Sequence, residues 1–147
     1  MKPIKRFEEF IHKNIVKKQS TDNSRAKFLI NESEKGYNCV IDMLSKLKIT
    51  NDNANTFVKS CHDVLMELIR AKMLLEGYNA VGQGAHEAEV SFLRILDFDE
   101  RDVQFADQIR FFRNGMMYYG TILDKEYADK VVEFTKRIYS KLRVIVK

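Results

Sequence analysis

The stretch NTFVKSCHDVLMELIRAKMLLEGY, residues 55–78, decides the fold class. Its apolar side chains recur every three or four residues, which places them on one side of an α-helix with about 3.6 residues per turn. The side chains predicted to face inward are Phe57, Cys61, Val64, Leu65, Leu68 and Leu75. A long helix with such an apolar face must pack against other helices, so this stretch predicts an all-α fold.

The same spacing continues on both sides of this helix. Apolar residues from Ile4 to Ile15 and from Tyr37 to Leu47 predict two helices before it, and residues 86–96, about 100–120 and 125–146 predict three more. The polar runs QSTDNS (19–24) and TNDNAN (50–55) predict breaks, because short polar side chains favour turns and N-caps. Sustained strand alternation is absent from the sequence. We therefore expect an up-and-down bundle of about five or six helices.

Composition favours a single domain over residues 1–147, since 45% of the chain is apolar and there are only six glycines and one proline. No apolar run is long enough to span a membrane, and the charged start MKPIKRFEEF is unlike a signal peptide. We expect a cytoplasmic protein with no membrane contact. Cys39 and Cys61 form no CxxC pair, so the sequence predicts two buried, reduced thiols.

The net charge of +4 is unevenly distributed. Basic side chains are densest in KNIVKK (13–18) and in the last twelve residues, which contain no acid. Such clusters attract phosphates, but lysine and arginine near a helix C-terminus also complement the helix dipole and keep a surface hydrated. The charge pattern leaves both interpretations open.

No motif predicts a metal ion or a cofactor. Glu9 and His12 have the spacing of half a di-iron carboxylate site, but the sequence holds no second copy. Glycine-rich phosphate loops, esterase motifs and zinc spacings are also absent. His62 is expected at the surface, whereas His86 is either an acid–base group or a solvent-facing residue in the first turn of its helix.

The stretch IRFFRNGMMYYG, residues 109–120, predicts a helix with two organised faces. On a helical wheel one face is an apolar stripe that ends at Tyr119. The opposite face carries Arg110, Arg113, Asn114 and Met117, with Tyr118 at its margin. Arginine and asparagine there suit recognition of phosphate or carboxylate, or contact with a partner, although the arginines would also pair with acids such as Asp107 or Glu87.

Two segments resemble HEPN domains. RNGMMYYG (113–120) is similar to the family signature, in which an arginine, usually followed by a polar residue, stands four to six residues before a histidine. LLEGYNAVGQGAHEAEVSFL (74–93) resembles the family's glycine–tyrosine corner and the helix that follows it. The resemblance covers roughly residues 55–140 and implies a HEPN-type helical bundle that pairs as a homodimer through its arginine-containing helices.

In nuclease members of the family, arginine and histidine from both subunits cut RNA without a metal. Carried over, Arg113 takes the arginine position, Asn114 the polar position and Tyr118 the histidine position. The tyrosine departs from the pattern, and its ordinary pKa of about 10, against about 6.5 for histidine, makes it a poor proton shuttle at neutral pH. Arg113 and Tyr118 also lie about 140° apart on an ideal helix, so a shared ligand needs two crossing helices.

The resemblance therefore implies a domain without catalytic activity that binds nucleotide, RNA or a separate nucleotidyltransferase partner, as in toxin–antitoxin pairs. One alternative is a metal-independent ribonuclease in which Arg113 acts with Tyr118 or with His86. Another is a dimeric helical scaffold joined through the arginine face. Gly115 is expected to allow a phosphate or another backbone to approach this face closely.

Overall fold

The computed structural model describes residues 3–146 of the chain. Six helices account for most of that part, which confirms the predicted all-α bundle. The helices are α1 Phe7–His12, α2 Asn23–Lys46, α3 Ala54–Leu75, α4 Ala85–Ile95, α5 Glu100–Tyr118 and α6 Lys125–Ile145. Two short strands, β1 Val16–Lys18 and β2 Tyr78–Ala80, complete the described elements.

Aspartate side chains set the starts of three helices. Each accepts a hydrogen bond from a backbone N–H in the first turn, where helix donors have no intrahelical partner. The capping residues are Asp22 for α2, Asp99 for α5 and Asp124 for α6. The predicted breaks at 19–24 and 50–55 are confirmed, because α2 begins within the first and α3 within the second.

Helix α3 lies at the centre of the bundle and packs against α2, α4, α5 and α6. Twelve of its 22 residues are buried, on more than one side of the helix. Five of the six side chains predicted to face inward are buried, whereas Leu75 is only half-buried against a second, smaller apolar cluster. Because neighbours surround α3, polar residues such as Arg70 and His62 lie in a contact between helices or at the edge of a cleft.

The two strands pair in an antiparallel ribbon, with Val16 opposite Ala80 and Lys18 opposite Tyr78. No prediction from the sequence placed a ribbon at this point. Each strand has three residues, too few to show alternation, and their pairing joins distant parts of the chain. Gly77 makes the turn into β2 possible, because its φ is +83° and a Cβ there would lie 2.7 Å from the carbonyl oxygen of Gln19.

The first predicted helix is shorter than its apolar spacing indicates. The pattern extends to Ile15, but α1 ends at His12. Asn14 has a φ of +60°, a left-handed conformation that asparagine tolerates better than most residues and that ends a right-handed helix. The chain then turns into β1. Ile15 and Val16 therefore belong to the turn and the ribbon and not to the first helix.

The two cysteines are both free, but they differ in exposure. Cys61 is buried, as predicted, and its burial raises the pKa of the thiol to about 11. Cys39 is exposed on α2, so the prediction of two buried thiols is wrong for this residue. Its neighbour Val40 takes the inward position at this turn of the helix.

Candidate functional site

A polar cleft of about 370 Å³ lies between α3, the start of α4 and the second half of α5. Its walls combine cationic, anionic, amide and thioether side chains. Helix α3 contributes His62, Asp63, Met66, Glu67 and Arg70, α4 contributes His86, and α5 contributes Arg113, Asn114 and Met117. Four of the predicted site residues therefore line one cleft: His86, Arg113, Asn114 and Met117.

Arg113 lines the α5 side of the cleft, and its guanidinium has no acidic partner within the described chain. Its Nε is buried and has no hydrogen-bond partner among residues 3–146. No ion pair within the same part of the chain includes it. A buried donor without an acceptor costs about 1–3 kcal/mol, so this atom favours a ligand that supplies one.

Arg110 has a structural role instead. Its Nε donates to Oδ1 of Asp107, one turn earlier on α5, at 2.6 Å. Asp107 is buried, so the pair neutralises a carboxylate inside the bundle. Arg110 does not line the cleft, and the predicted pairing of these arginines with acids therefore holds for Arg110 and not for Arg113.

His62 lies in the α3 wall, which corrects its predicted place at the surface. Only 12% of its side chain is exposed. Its Nδ1 lies 3.2 Å from Oδ1 of Asp63, and its Nε2 is buried with no partner in the described chain. The hydrogen bond from His62, and then the charges of His62 and Arg113, lower the pKa of Asp63, although burial opposes the shift.

The position of His62 has a signal in the sequence. It stands three, four and seven residues before Leu65, Met66 and Ile69, the helical spacing of an inward face. All three of those residues are buried. The immediate neighbours of His62, Cys61 and Asp63, do not indicate its environment, because adjacent residues point in different directions on a helix.

Arg70 and His86, which line the cleft, form a hydrogen-bonded group with the buried Glu89. Arg70 donates to both oxygens of Glu89, at 2.6 Å from Nε and 3.0 Å from Nη2. His86 Nδ1 lies 2.9 Å from Oε1 of the same carboxylate. Burial raises the pKa of Glu89, but the hydrogen bonds from His86 and Arg70 outweigh it and lower that pKa below its ordinary value.

His86 has features of both interpretations, the acid–base group and the solvent-facing residue in the first turn of its helix. The residue is exposed in the first turn of α4 and also lines the cleft. It does not cap α4, whose N-cap is Gly84. Glu89 therefore orients the imidazole at the edge of the cleft. The i, i+3 spacing on α4 is the sequence signal for this contact, whereas the pair of Glu89 with Arg70 joins two helices.

Tyr118 and Tyr119 lie outside the cleft. Tyr118, predicted to contact a ligand, is 72% exposed, and Tyr119, predicted to belong to the core stripe, is 85% exposed. Helix α5 ends at Tyr118, and Tyr119 has left helical geometry as its C-cap. The helical wheel assigned Tyr119 to the core because it assumed that the helix continued.

Apolar side chains are exposed around the end of α5. They are Phe111, Met117, Tyr118, Tyr119 and Ile122. Met117 belongs both to this group and to the cleft. We call this group the α5 apolar patch.

Gly115 is buried, but the group that approaches it is part of its own chain. A Cβ on Gly115 would overlap Oγ1 of Thr121 and lie 3.1 Å from its Cβ. The backbone N–H of Thr121 also donates to the Gly115 carbonyl at 3.1 Å. The expectation of a phosphate or a second backbone at Gly115 is therefore wrong, because the returning loop fills the space.

We expect Gly115→Ala to lower the free energy of unfolding by about 1–3 kcal/mol, because the added methyl group displaces Thr121. Urea denaturation of the wild type, Gly115→Ala, Thr121→Ala and the double variant measures the effect. In the double variant the loss should be smaller than the sum of the single losses, since truncation of Thr121 removes the overlapping Oγ1, although its Cβ stays close. Equal stability of Gly115→Ala and the wild type would contradict the steric explanation.

The fold and the cleft define an all-α bundle with a ligand-sized polar cleft of mixed charge. Comparison with known proteins found no matching family model, no matching curated protein and no matching solved structure. Within residues 3–146, no helix is both long and apolar enough to cross a membrane. The same residues contain no group of three or more histidine, cysteine or acidic side chains arranged to hold a metal ion.

Proposed function

We propose that this protein is a HEPN-like domain that binds nucleotide or RNA in the cleft without cutting it, with Arg113 as the anchoring cation. The observation that carries the proposal is the buried Nε of Arg113, which has no partner within the described chain. A phosphate oxygen would satisfy this donor, because the planar guanidinium matches phosphate geometry with parallel hydrogen bonds.

The side chains around Arg113 support an anion on the α5 side of the cleft. Asn114 brings amide donors, and His86 brings an imidazole whose Nε2 takes no part in the hydrogen bond to Glu89. Nη1 of Arg70 takes no part in the two hydrogen bonds to Glu89 and adds a third source of donors. Asp63 and Glu67 lie on α3 and repel an anion, so the phosphate belongs nearer to α5 than to α3.

A second candidate is a metal-independent ribonuclease, and the position of His62 favours it. Cleavage by the ribose hydroxyl requires one group that accepts a proton and another that donates one. His62, His86 and Arg113 all line the cleft, and Nδ1 of His62 is hydrogen-bonded to Asp63. His62 and His86 would then supply the acid–base chemistry that Tyr118 cannot.

The α5 apolar patch supports a partner beside the cleft. Its exposed apolar side chains are concentrated in one segment, residues 111–122, and exposed apolar surface favours a protein interface. In a homodimer this patch would meet its copy, and Tyr118 of one subunit would lie near the cleft of the other.

A separate nucleotidyltransferase, in a toxin–antitoxin-type pair, is the alternative partner. A scaffold without a ligand is the third candidate function. Sedimentation as a monomer at high concentration would rule out the composite site.

The test is RNA retention and RNA cleavage by the purified protein in EDTA at physiological salt. We expect Arg113→Ala to weaken retention about tenfold or more, because a lost charge-assisted hydrogen bond costs about 1.5–3 kcal/mol. The matched control is Arg101→Ala, which removes an exposed arginine of the same helix outside the cleft. Circular dichroism checks that both variants stay folded.

The outcomes separate the candidate functions. Retention that depends on Arg113, with RNA left intact, supports binding without catalysis. Cleavage that is lost in both Arg113→Ala and His62→Ala supports the ribonuclease. If retention falls equally in Arg101→Ala and Arg113→Ala, RNA is held by general electrostatic attraction and not by the cleft. If no RNA is retained at all, the scaffold is the candidate function that remains.

A further inference from the structure

The α3 wall carries two carboxylates that the binding of a phosphate does not explain. Asp63 and Glu67 are four residues apart, so they lie on the same face of α3, and both line the cleft. An ionised carboxylate only accepts hydrogen bonds. The wall opposite Arg113 is therefore built for a group with N–H or O–H donors.

Glu67 has acceptor capacity that the protein leaves unused. It accepts no side-chain hydrogen bond from residues 3–146, whereas Asp63 is bonded to His62. Burial, followed by the charges of Asp63 and Glu32, raises the pKa of Glu67. The ionised group is thus partly removed from water without receiving donors in exchange, and a ligand with paired donors would supply them.

The ligand for this cleft needs an anion at one end and donors at the other. Met66 and Met117 also line the cleft, and thioether side chains pack well against flat rings. The cavity of about 370 Å³ is near the lower limit of ligand sites, which run from about 300 to 1,000 Å³. These features fit one nucleotide, with its phosphate at Arg113 and its base edge at α3.

Among the four RNA bases, guanine has the edge that matches a carboxylate. Its N1–H and N2 amino group are adjacent donors that point in the same direction, as do the two acceptor oxygens of a carboxylate. Adenine and cytosine place an acceptor nitrogen beside their amino group, and uracil places its single N–H between two carbonyl oxygens. Each of those acceptors would meet the negative charge of Asp63 or Glu67.

We propose that the cleft selects guanine nucleotides, with Glu67 accepting from N1–H and the N2 amino group while Arg113 holds the phosphate. This inference rests on the proposed binding function and adds base selectivity to it. Binding sites in RNA-recognition proteins commonly read the Watson–Crick edge of an unpaired base in this way. The other bases are rejected because each would place a desolvated acceptor atom against an acceptor oxygen of Glu67.

The test is isothermal titration of the purified protein with GMP, IMP, AMP, CMP and UMP. We expect GMP to bind at least about tenfold more tightly than UMP, with IMP between them because it lacks only the N2 amino group. Glu67→Gln should reduce the preference for GMP over UMP to less than about threefold, since the amide replaces one acceptor with a donor. Glu126→Gln, an exposed residue on α6, is the matched control and should preserve the preference.

Failure of this inference differs from failure of the proposed function. If all five nucleotides bind equally and Arg113→Ala weakens each of them, phosphate binding holds and guanine selectivity is overturned. An unchanged preference in Glu67→Gln also overturns the assignment to Glu67. If none of the nucleotides binds, guanine selectivity is overturned, and RNA retention by the wild type and Arg113→Ala decides the proposed function separately. The comparison of GMP with IMP uses only the wild-type protein, so its result does not depend on whether a variant folds.

Discussion

Arg70→Ala should lower the free energy of unfolding by about 3–5 kcal/mol, because it leaves the carboxylate of Glu89 buried without its main partner. The side chain of Glu89 is 3% exposed and receives two hydrogen bonds from Arg70. His86 remains as a partner, but it is largely exposed and binds only one oxygen. Urea denaturation at neutral pH, compared with the wild type, measures the loss.

Two further variants separate loss of the ion pair from general disruption. The double variant Arg70→Met with Glu89→Leu removes both charges and should recover most of the stability, since apolar residues of similar size replace a buried pair at little cost. Lys46→Ala breaks an exposed pair with Asp42 on α2 and should change stability by less than about 1 kcal/mol. A double variant as unstable as Arg70→Ala would contradict the ion-pair explanation.

The effect of Arg70 also has an expected pH dependence. Glu89 has its pKa lowered in the folded protein from an ordinary value of 4.5. A lowered carboxylate pKa stabilises the fold above the ordinary value, and that stabilisation is lost as the pH falls through the lowered pKa. The difference between the wild type and Arg70→Ala should therefore be full at neutral pH and shrink in acid.

Phe92→Ala should cost about 3–5 kcal/mol, the usual range for removing a buried phenylalanine side chain. Phe92 is 1% exposed on α4 and contacts Phe7 of α1 edge-on, with ring centroids 4.8 Å apart. Tyr78 of β2 completes the cluster, 5.1 Å from Phe7 and 6.0 Å from Phe92. The three rings attach the N-terminal segment to the bundle.

Urea denaturation and amide hydrogen exchange test the role of Phe92. Besides the global loss, we expect faster exchange at Gln19 and Val81, whose N–H groups hydrogen-bond across the strand region. Phe28→Ala is the matched control, because this phenylalanine is exposed on α2 and should contribute less than about 1 kcal/mol. Equal losses in the two variants would mean that the aromatic cluster does not hold the segment.

The sequence predicted the α5 side of the cleft and one residue of α4. Arg113, Asn114 and Met117 share a face because the angular step along a helix is constant, and the structure places all three in the cleft. His86 was also predicted, but its partner Glu89 was not. The α3 wall was missed entirely, although His62 and Glu67 stand in the helix whose apolar face predicted the fold.

The sequence by itself determined the elements that depend on local spacing. Apolar periodicity placed the helices, and short polar residues such as Asp22 placed their starts, because helix formation and capping involve residues within a few positions of one another. The same local geometry determined which side chains share a face of α5. These features require no knowledge of what packs against the helix.

Only the tertiary structure decided which faces oppose one another. The pairing of β1 with β2, the ion pair of Arg70 with Glu89 and the presence of Arg113 and Asp63 in one cleft all involve residues far apart in the chain. Their positions depend on how α3, α4 and α5 pack, which is set by the shapes of whole surfaces. The end of α5, which exposes Tyr118 and Tyr119 and brings Thr121 against Gly115, likewise depends on the loop that returns to the bundle.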